Sequence, residues 1–201
     1  MLNFDNALGP IEIRDQLSSW IKTKLEPKQN DVLINELGFY NKNPHSSVES
    51  TFRADLVLAN GRLVGFEIKS KADNLKRWDR QMLAYSNVFN EIWLCCHSSH
   101  LKKAIETTAS HIGILMVDDL GSIAIYKNAS PNKNIDAFDL TSFLWKDELQ
   151  NFARIHNIAI RSSDNKKVIR ERIATLIDIS LINNYVLQCL KTRERAYPVL
   201  S

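Results

Sequence analysis

The chain has 201 residues, of which 44% are hydrophobic and 24% charged, and its formal net charge is +3. These values are typical of a globular protein with one substantial domain, or a core with a helical appendage, and they exclude a low-complexity or strongly charged chain. Because no apolar run approaches the roughly 20 residues of a membrane span and the N-terminus lacks a charged-then-apolar leader pattern, we expect a cytoplasmic protein without a membrane partner.

The first predicted element is a helix from Pro10 to Leu25, since proline suits a first helical turn and apolar residues recur at helical spacing. Pro27 is predicted to end this helix. Residues 31–40 are apolar and ambiguous between the end of a helix and a strand, and they contain Glu36. The polar segment 41–50 predicts a loop at the edge of the candidate site.

A β-hairpin is predicted next. Apolar runs at 54–58 and 63–68 flank an Asn60-Gly61 step, and such a step between two such runs is the strongest short-range hairpin signal. A two-residue loop would place Asp55 and Glu67 on opposite faces of the ribbon, because side chains alternate along a strand.

A three-residue loop at 59–61, with Gly61 in the left-handed conformation, separates polar from apolar side chains, and we predict this register. It pairs Asp55 with Gly65, where the missing side chain leaves room for an ion. The polar face then carries Asp55, Gly65, Glu67 and Lys69. The apolar face carries Ala54, Leu56, Leu58, Val64, Phe66 and Ile68.

Two carboxylates on one face predict a site for a hard divalent cation, Mg²⁺ or Mn²⁺, completed by water and substrate phosphate. Lys69 lies two residues after Glu67, so its ammonium can stand beside an attacking water or the phosphate. Together with Asp55, this pattern predicts metal-dependent phosphodiester hydrolysis. The alternative is a solvated hairpin with an incidental ion pair. Arg53 shares this face and could pair with a carboxylate or contact nucleic acid.

The following helix is predicted from a cap at residue 73 or 74 to about residue 89. Gln81 and Tyr85 are four residues apart on it, so they can present an amide and a phenol to metal-bound water or substrate. The alternative is a structural pair at the edge of the core. Arg77 lies outside the apolar stripe, and we assign it to nucleic-acid binding.

The rest of the core alternates strands with a helix, which indicates an α/β fold with a mixed central sheet flanked by helices. The predicted strands are 91–96, 111–117 and 122–127, and the predicted helix is 101–109. Polar residues at 128–134 make the best linker, so we predict a core domain over residues 1–130 and a helical C-terminal region over residues 131–201.

In this helical C-terminal region we predict helices over 140–156, from the Ser162–Asn165 cap onward, and over 179–195. The formal excess of basic residues lies entirely after residue 146. A helix, an extended link and a capped basic helix resemble a SAP-type DNA-binding motif, so we assign Lys166, Lys167 and Arg170 to nucleic-acid binding. An ordinary solvated face is the alternative.

The cysteines are predicted to be free thiols. Cys95 and Cys96 are adjacent in a predicted strand and point to opposite faces, so they suit neither a disulfide nor a metal pair. A zinc site with His97 and His100 lacks the usual paired-ligand spacing.

Several of these motifs together resemble the PD-(D/E)xK nuclease superfamily. Its D...ExK signature appears here as Asp55 followed by Glu67-Ile68-Lys69, with Ala54 where proline is common. The QxxxY element of its RecB-like and lambda-exonuclease-like branches appears as Gln81 and Tyr85. Phrases shared with a largely uncharacterised bacterial and phage family are ELG at 36, RAD at 53, FEIKS at 66, DNLKR at 73 and LWKDEL at 144.

The resemblance implies a restriction-endonuclease-like core and a Mg²⁺-dependent deoxyribonuclease. Asp55 and Glu67, with Glu36 as a further ligand, would hold the metal, and Lys69 would assist the attack. DNA as the substrate rests on the resemblance, because a phosphodiester site does not identify its sugar. A homodimer would suit cutting of two strands. The alternatives are a catalytically silent nuclease fold that binds DNA or assembles complexes, and an ion-pair cluster in a protein-interaction module.

Overall fold

The structure is a computed structural model that describes residues 8–25, 28–43, 46–193 and 196–198. The helices are α1 (Pro10–Lys24), α2 (Trp78–Ser86), α3 (Leu101–Thr107), α4 (Ala137–Leu140), α5 (Lys146–Ile155), α6 (Lys166–Leu176) and α7 (Ile179–Lys191). The strands are β1 (Val32–Asn43), β2 (Ser46–Ala59), β3 (Leu63–Lys69), β4 (Glu91–His97), β5 (Gly113–Val117), β6 (Ile123–Lys127) and β7 (Ala196–Pro198).

Within the described ranges the strands form one seven-stranded sheet in the order β6-β5-β4-β3-β2-β1-β7. β4 pairs in parallel with β3 and β5, and the remaining neighbours pair antiparallel. α2 and α3 lie in the crossovers that parallel pairs require. The predicted α/β class, with a mixed sheet flanked by helices and followed by a helical C-terminal region, is confirmed.

The first hairpin, formed by β1 and β2, is not among the predicted elements. The ambiguous segment 31–40 is strand, and the predicted loop at 41–50 is wrong, because β1 and β2 stay paired as far as Asn43 and Ser46. Tertiary contacts hold this extension: the Asp139 carboxylate on α4 accepts hydrogen bonds from the backbone N–H of Lys42 at 2.9 Å and from the Asn41 amide at 3.1 Å. Such contacts override the polar character of the segment.

The β2–β3 hairpin has a different register from the one predicted. Ala59 pairs with Leu63, so the loop is 60–62, and Gly61 in it has a φ of +91°. The shift is two residues, an even number, and Asp55 and Glu67 therefore keep the same relative face. Gly65 pairs with Val57 rather than with Asp55.

Gly65 does not make room for an ion. A Cβ atom at this position would lie 2.6 Å from the ring of Phe89, so the missing side chain allows the ring after α2 to pack against β3. The same ring packs edge-on against Phe39 of β1, with ring centres 5.7 Å apart. The glycine therefore serves the core on the α2 side of the sheet.

Helices cover both faces of the sheet. α1 packs on one face through Ile13, Leu17 and Ile21, against Leu56, Leu58, Val64, Phe66 and Ile68. α2, α3 and the C-terminal helices share the other face. Ala54 belongs to this second core rather than to the predicted apolar face, so the alternation of β2 is interrupted between Ala54 and Leu56. At the same level of β1, between the partners of these two residues, Glu36 has a φ of +54°.

The two sides of the predicted domain boundary at residue 130 share one hydrophobic core. Side chains of α4 to α7, including Leu149, Ile173 and Val186, belong to the same cluster as the sheet. The predicted linker 128–134 is fixed rather than free, since the buried Asn132 amide donates to the carbonyls of Ser86 and Phe89 at 2.7 and 2.8 Å. In the described part of the chain, no helix is long and apolar enough to cross a membrane.

Most predicted helices and strands are found, with shifted ends. α2 begins at Trp78 rather than at the predicted cap, because Asp73 instead closes a turn by accepting the Ser70 N–H at 2.8 Å. The predicted helix 140–156 is broken before α5. The end of the predicted last helix and Pro27 lie outside the described residues. Cys95 and Cys96 are free, buried and packed in opposite cores, as predicted.

Candidate active site

Glu67 is the centre of the candidate site. It lies on β3, a central strand that is buried along its whole length, and its residue surface is only 2% exposed. The Lys69 ammonium is 2.6 Å from its Oε1. A buried carboxylate is stable only when it is paired and hydrogen-bonded, and Lys69, two residues along the same strand, provides the charge.

The predicted pair on α2 completes the shell around Glu67. The Gln81 amide donates to Oε1 at 2.5 Å, and the Tyr85 hydroxyl donates to Oε2 at 2.6 Å. The amide oxygen of Gln81 also accepts a hydrogen bond from Lys69 at 3.0 Å. The helical spacing of four residues places both side chains on one side of α2, as predicted, but they contact the Glu67 carboxylate, a partner that the sequence did not predict. Burial, followed by the nearby negative charge of Glu67, raises the pKa of the Tyr85 hydroxyl well above its usual value.

Asp55 lies on β2 immediately before Leu56, the first residue of this strand that pairs with β3. The last paired residues are Leu56 and Phe66, and beyond them the Asp55 Oδ2 accepts the backbone N–H of Ile68 at 2.7 Å. Its side chain thus satisfies a backbone donor that a continued ladder would have used. Sequence reasoning missed this contact, because only the true register shows it.

The environment of Asp55 opposes its ionisation. Burial raises the pKa of its carboxyl to about 6, and the Glu67 carboxylate adds to the rise. The Ile68 N–H and the charges of Lys69 and Arg53 act in the opposite direction but are weaker. Two carboxylates that repel each other in a partly desolvated place form a site that a cation would stabilise.

Glu36 lies on β1, on the side of β2 away from β3. Its carboxylate is exposed and pairs with Arg14 of α1 at 3.3 Å and with Arg53 of β2 at 3.1 Å. Arg53 therefore takes the carboxylate-pairing role that the sequence left open, although its side chain remains largely exposed. Nothing in the sequence pointed to Arg14, because its spacing to Glu36 carries no motif.

The predicted nucleic-acid residues differ in exposure. Arg77 and Lys167 are exposed, whereas Lys166 is half-buried. The prediction that Arg170 binds nucleic acid is wrong, because this residue is only 3% exposed. Its guanidinium is 2.8 Å from the Glu49 carboxylate and donates to the Phe138 carbonyl at 3.0 Å. A side chain committed in this way is not free to contact a phosphate, so Arg170 holds α6 against the first hairpin.

The carboxylates of Asp55 and Glu67 fit a divalent cation that water and substrate partly coordinate better than one enclosed by protein ligands alone. Asp55 and Glu67 can supply two carboxylates, which is enough for Mg²⁺ when water and phosphate complete its coordination. Both Glu67 oxygens already accept hydrogen bonds, however. Among the residues that the structure describes, no group of three or more His, Cys, Asp or Glu side chains is arranged to hold a metal ion.

The chain is similar to a phage protein and to a bacterial protein of known structure. Protein cII of Enterobacteria phage P4 is 26% identical over 147 residues, which is 72% of this chain and 55% of that protein. This chain thus spans about half the length of that curated relative. A solved structure of a protein of unknown function from Silicibacter pomeroyi shares 15% identity and a TM-score of 0.43, over 78% of this chain and 99% of that chain.

The family comparison covers nearly the whole chain. The family model described as Bacteriophage P4 protein cII matches residues 11–197, from α1 to β7. The match includes every residue of the candidate site. The chain therefore belongs to the bacteriophage P4 protein cII family.

Proposed function

We propose that this protein is a metal-dependent deoxyribonuclease with a restriction-endonuclease-like core. The observation that carries the proposal is the buried cluster in which Lys69, Gln81 and Tyr85 all contact the Glu67 carboxylate, with Asp55 on the neighbouring strand. These are the residues in which the chain resembles the PD-(D/E)xK nucleases. A buried carboxylate needs hydrogen bonds in any case, so the feature that supports the proposal is the combination of ammonium, amide and phenol at Glu67 with a second carboxylate at Asp55.

The residues divide the chemistry among themselves. Asp55 and Glu67 would hold Mg²⁺ or Mn²⁺, which when bound would activate water and neutralise charge on the phosphoryl group. The Lys69 ammonium is buried and held at the Glu67 carboxylate, so it would stabilise negative charge on the attacked phosphate only if it leaves that carboxylate. Gln81 and Tyr85 orient the Glu67 carboxylate by donating to its two oxygens. Glu36 becomes a further ligand only if it leaves Arg14 and Arg53.

DNA is the proposed substrate because of the resemblance, and the phage relative supports a phage-related protein without naming a substrate. A cytoplasmic location and a homodimer, which would suit the cutting of two strands, belong to the same proposal. Exposed Arg77 and Lys167 are the proposed phosphate contacts, and Arg53 would join them only if it leaves Glu36.

The test is cleavage of linear, nicked, branched and single-stranded DNA with Mg²⁺ or Mn²⁺, and with EDTA. Lys69→Ala and Asp55→Asn are expected to abolish cleavage. Lys71→Ala is the matched control, because Lys71 lies two residues beyond Lys69 but is exposed and pairs with Asp119 at 2.9 Å. Metal-dependent cleavage that survives both site variants would reject this site.

A second candidate function is DNA binding by a catalytically silent nuclease fold. It is favoured by the saturation of Glu67, whose two oxygens are occupied by Lys69, Gln81 and Tyr85. Tight DNA binding with no cleavage under any metal condition would select it.

A further inference from the structure

A cleft of about 900 Å³ lies between β1 and the C-terminal helices, outside the Glu67 cluster. Its size is that of an ordinary ligand site rather than a packing defect. The lining includes Glu36, Tyr40, Phe143, Trp145, Lys166 and Arg193. The proposed chemistry uses none of these except Glu36.

Trp145 gives the cleft a rigid aromatic wall. The Arg193 guanidinium lies over its ring, 4.3 Å from the ring centre. This arginine is itself fixed, because it pairs with Glu148 at 2.5 Å and donates to the Phe143 carbonyl at 2.8 Å. Although one ring face is covered, Trp145 remains 55% exposed. An indole that an arginine holds in place and that is still more than half exposed is preorganised to stack a planar group.

Tyr40 adds a second aromatic side chain to the same cleft and is 42% exposed. Its backbone N–H is held by the Ser142 hydroxyl at 3.1 Å, so its place on β1 is fixed against the segment before α5. Two exposed aromatic residues in one concave site favour a ligand with flat rings over an aliphatic one.

Lys166 supplies a positive charge without a carboxylate of its own. Glu49 pairs with Arg170 and Glu148 pairs with Arg193, which leaves the Lys166 ammonium as the surplus cation of this group among the described residues. Burial and the charges of these two arginines lower the pKa of Lys166, so an anion beside it would be stabilised. Asp147 also lines the cleft, and its negative charge opposes anion binding in its own vicinity.

The cleft and the candidate active site are neighbours. Glu36 lines the cleft, and it lies on β1 at the level of Asp55 on β2, about 5 Å away across the sheet. A DNA strand with a phosphate at Asp55 could therefore continue into the cleft only if its bases there are unpaired, because a cleft of this size has no room for a duplex.

We infer that this cleft binds an unpaired nucleotide of a DNA strand, with its base stacked on Trp145 and its phosphate beside Lys166. The part of this inference that concerns the substrate rests on the proposed nuclease function. It makes DNA with a single-stranded extension the preferred substrate. The binding itself does not require catalysis and is testable without metal.

The test is fluorescence anisotropy in EDTA with labelled oligonucleotides of equal length, one of thymidines and one of abasic sites. Both carry the same phosphates, and only the first can stack. We expect the thymidine strand to bind about tenfold more tightly, and Trp145→Ala to remove that difference while leaving abasic binding unchanged. Tyr126→Ala is the matched control, because Tyr126 is 54% exposed but lies on β6, the strand at the opposite edge of the sheet from the cleft.

Two further variants protect this test from a folding defect. Trp145→Phe keeps an aromatic ring and is expected to retain most of the difference between the two strands, whereas Lys166→Ala is expected to weaken both strands equally. Equal binding of the two strands by the native protein, or an unchanged difference in Trp145→Ala, overturns the inference and would leave the cleft to a peptide. Base-dependent binding without any cleavage retains it and rejects only the nuclease.

Discussion

Replacing Asp55 by Asn is expected to stabilise the metal-free protein at neutral pH. The pKa of Asp55 is raised from 3.8 to about 6, which means that the folded state holds the proton more tightly than the unfolded state. Between these values the folded state binds more protons, so stability falls as the pH rises through this range, and the full penalty is present above pH 6. Asn cannot ionise and escapes the penalty.

The size of the effect follows from the shift. A tenfold change in an equilibrium constant corresponds to about 1.4 kcal/mol, so the rise from 3.8 to about 6 corresponds to about 3 kcal/mol, and partial exposure of Asp55 reduces this to roughly 2 kcal/mol. The Asn oxygen can still accept the Ile68 N–H. The advantage of Asp55→Asn over the native protein should therefore grow from near zero at pH 4 to roughly 2 kcal/mol at pH 8.

Urea denaturation in EDTA at several pH values measures this difference. Asp119→Asn is the control of opposite sign, because the contacts of Asp119 with Lys71 and His97 lower the pKa of its carboxyl. Its ionised form contributes stability above the unfolded pKa, and the Asn variant loses that contribution at neutral pH. A variant at Asp55 that is no more stable than the native protein at pH 8 would refute the reasoning. Added Mg²⁺ should stabilise the native protein at pH 8 but not the Asp55→Asn variant.

Three other substitutions test the packing around the site. Tyr85→Phe leaves a buried oxygen of Glu67 without its donor and should lower the free energy of unfolding by about 2 kcal/mol, measured by urea denaturation. Gly65→Ala forces a Cβ against the Phe89 ring and should cost about 1–3 kcal/mol in the same assay; an unchanged midpoint would contradict the packing role. Arg170→Met should destabilise by about 3 kcal/mol or more because it leaves a carboxylate on β2 unpaired, yet salt-dependent DNA binding of the folded variant should be unchanged.

The alternation of side chains in the β2–β3 hairpin could be predicted because it depends on local sequence. Asp55 and Glu67 share a face in any register that differs by an even number of residues, so the two-residue error in pairing did not separate them. The loop position was wrong because Arg62 is as acceptable in a hairpin loop as Ala59. Both the predicted loop and the observed loop contain Gly61, so the local turn signal does not choose between the two registers.

Properties that depend on tertiary contacts could not be predicted from the sequence alone. Arg170 belongs to a basic helix and looks like a phosphate contact, but its guanidinium is enclosed by Glu49 and by the ring of Phe138, 4.0 Å away. The polar segment at 128–134 looks like a linker, but Asn132 ties it to α2. In both cases the partner is far away in the sequence, and polarity alone does not distinguish a solvated residue from a buried one with partners.

Three neighbouring strands each carry an unfavourable feature at or beside the candidate site. On β1 Glu36 has a φ of +54°, which costs a non-glycine residue about 1–3 kcal/mol. On β2 Asp55 is ionised only against an opposing environment, and on β3 Glu67 and Lys69 form a buried ion pair. Apolar residues of similar size at such a pair are often neutral or stabilising. Nothing in the packing of β3 requires the pair, since its other side chains are apolar and buried. Features that lower the stability of the fold are expected to occur together where binding or chemistry maintains them. The region of Asp55 and Glu67, rather than any surface patch, is therefore the place to look for activity.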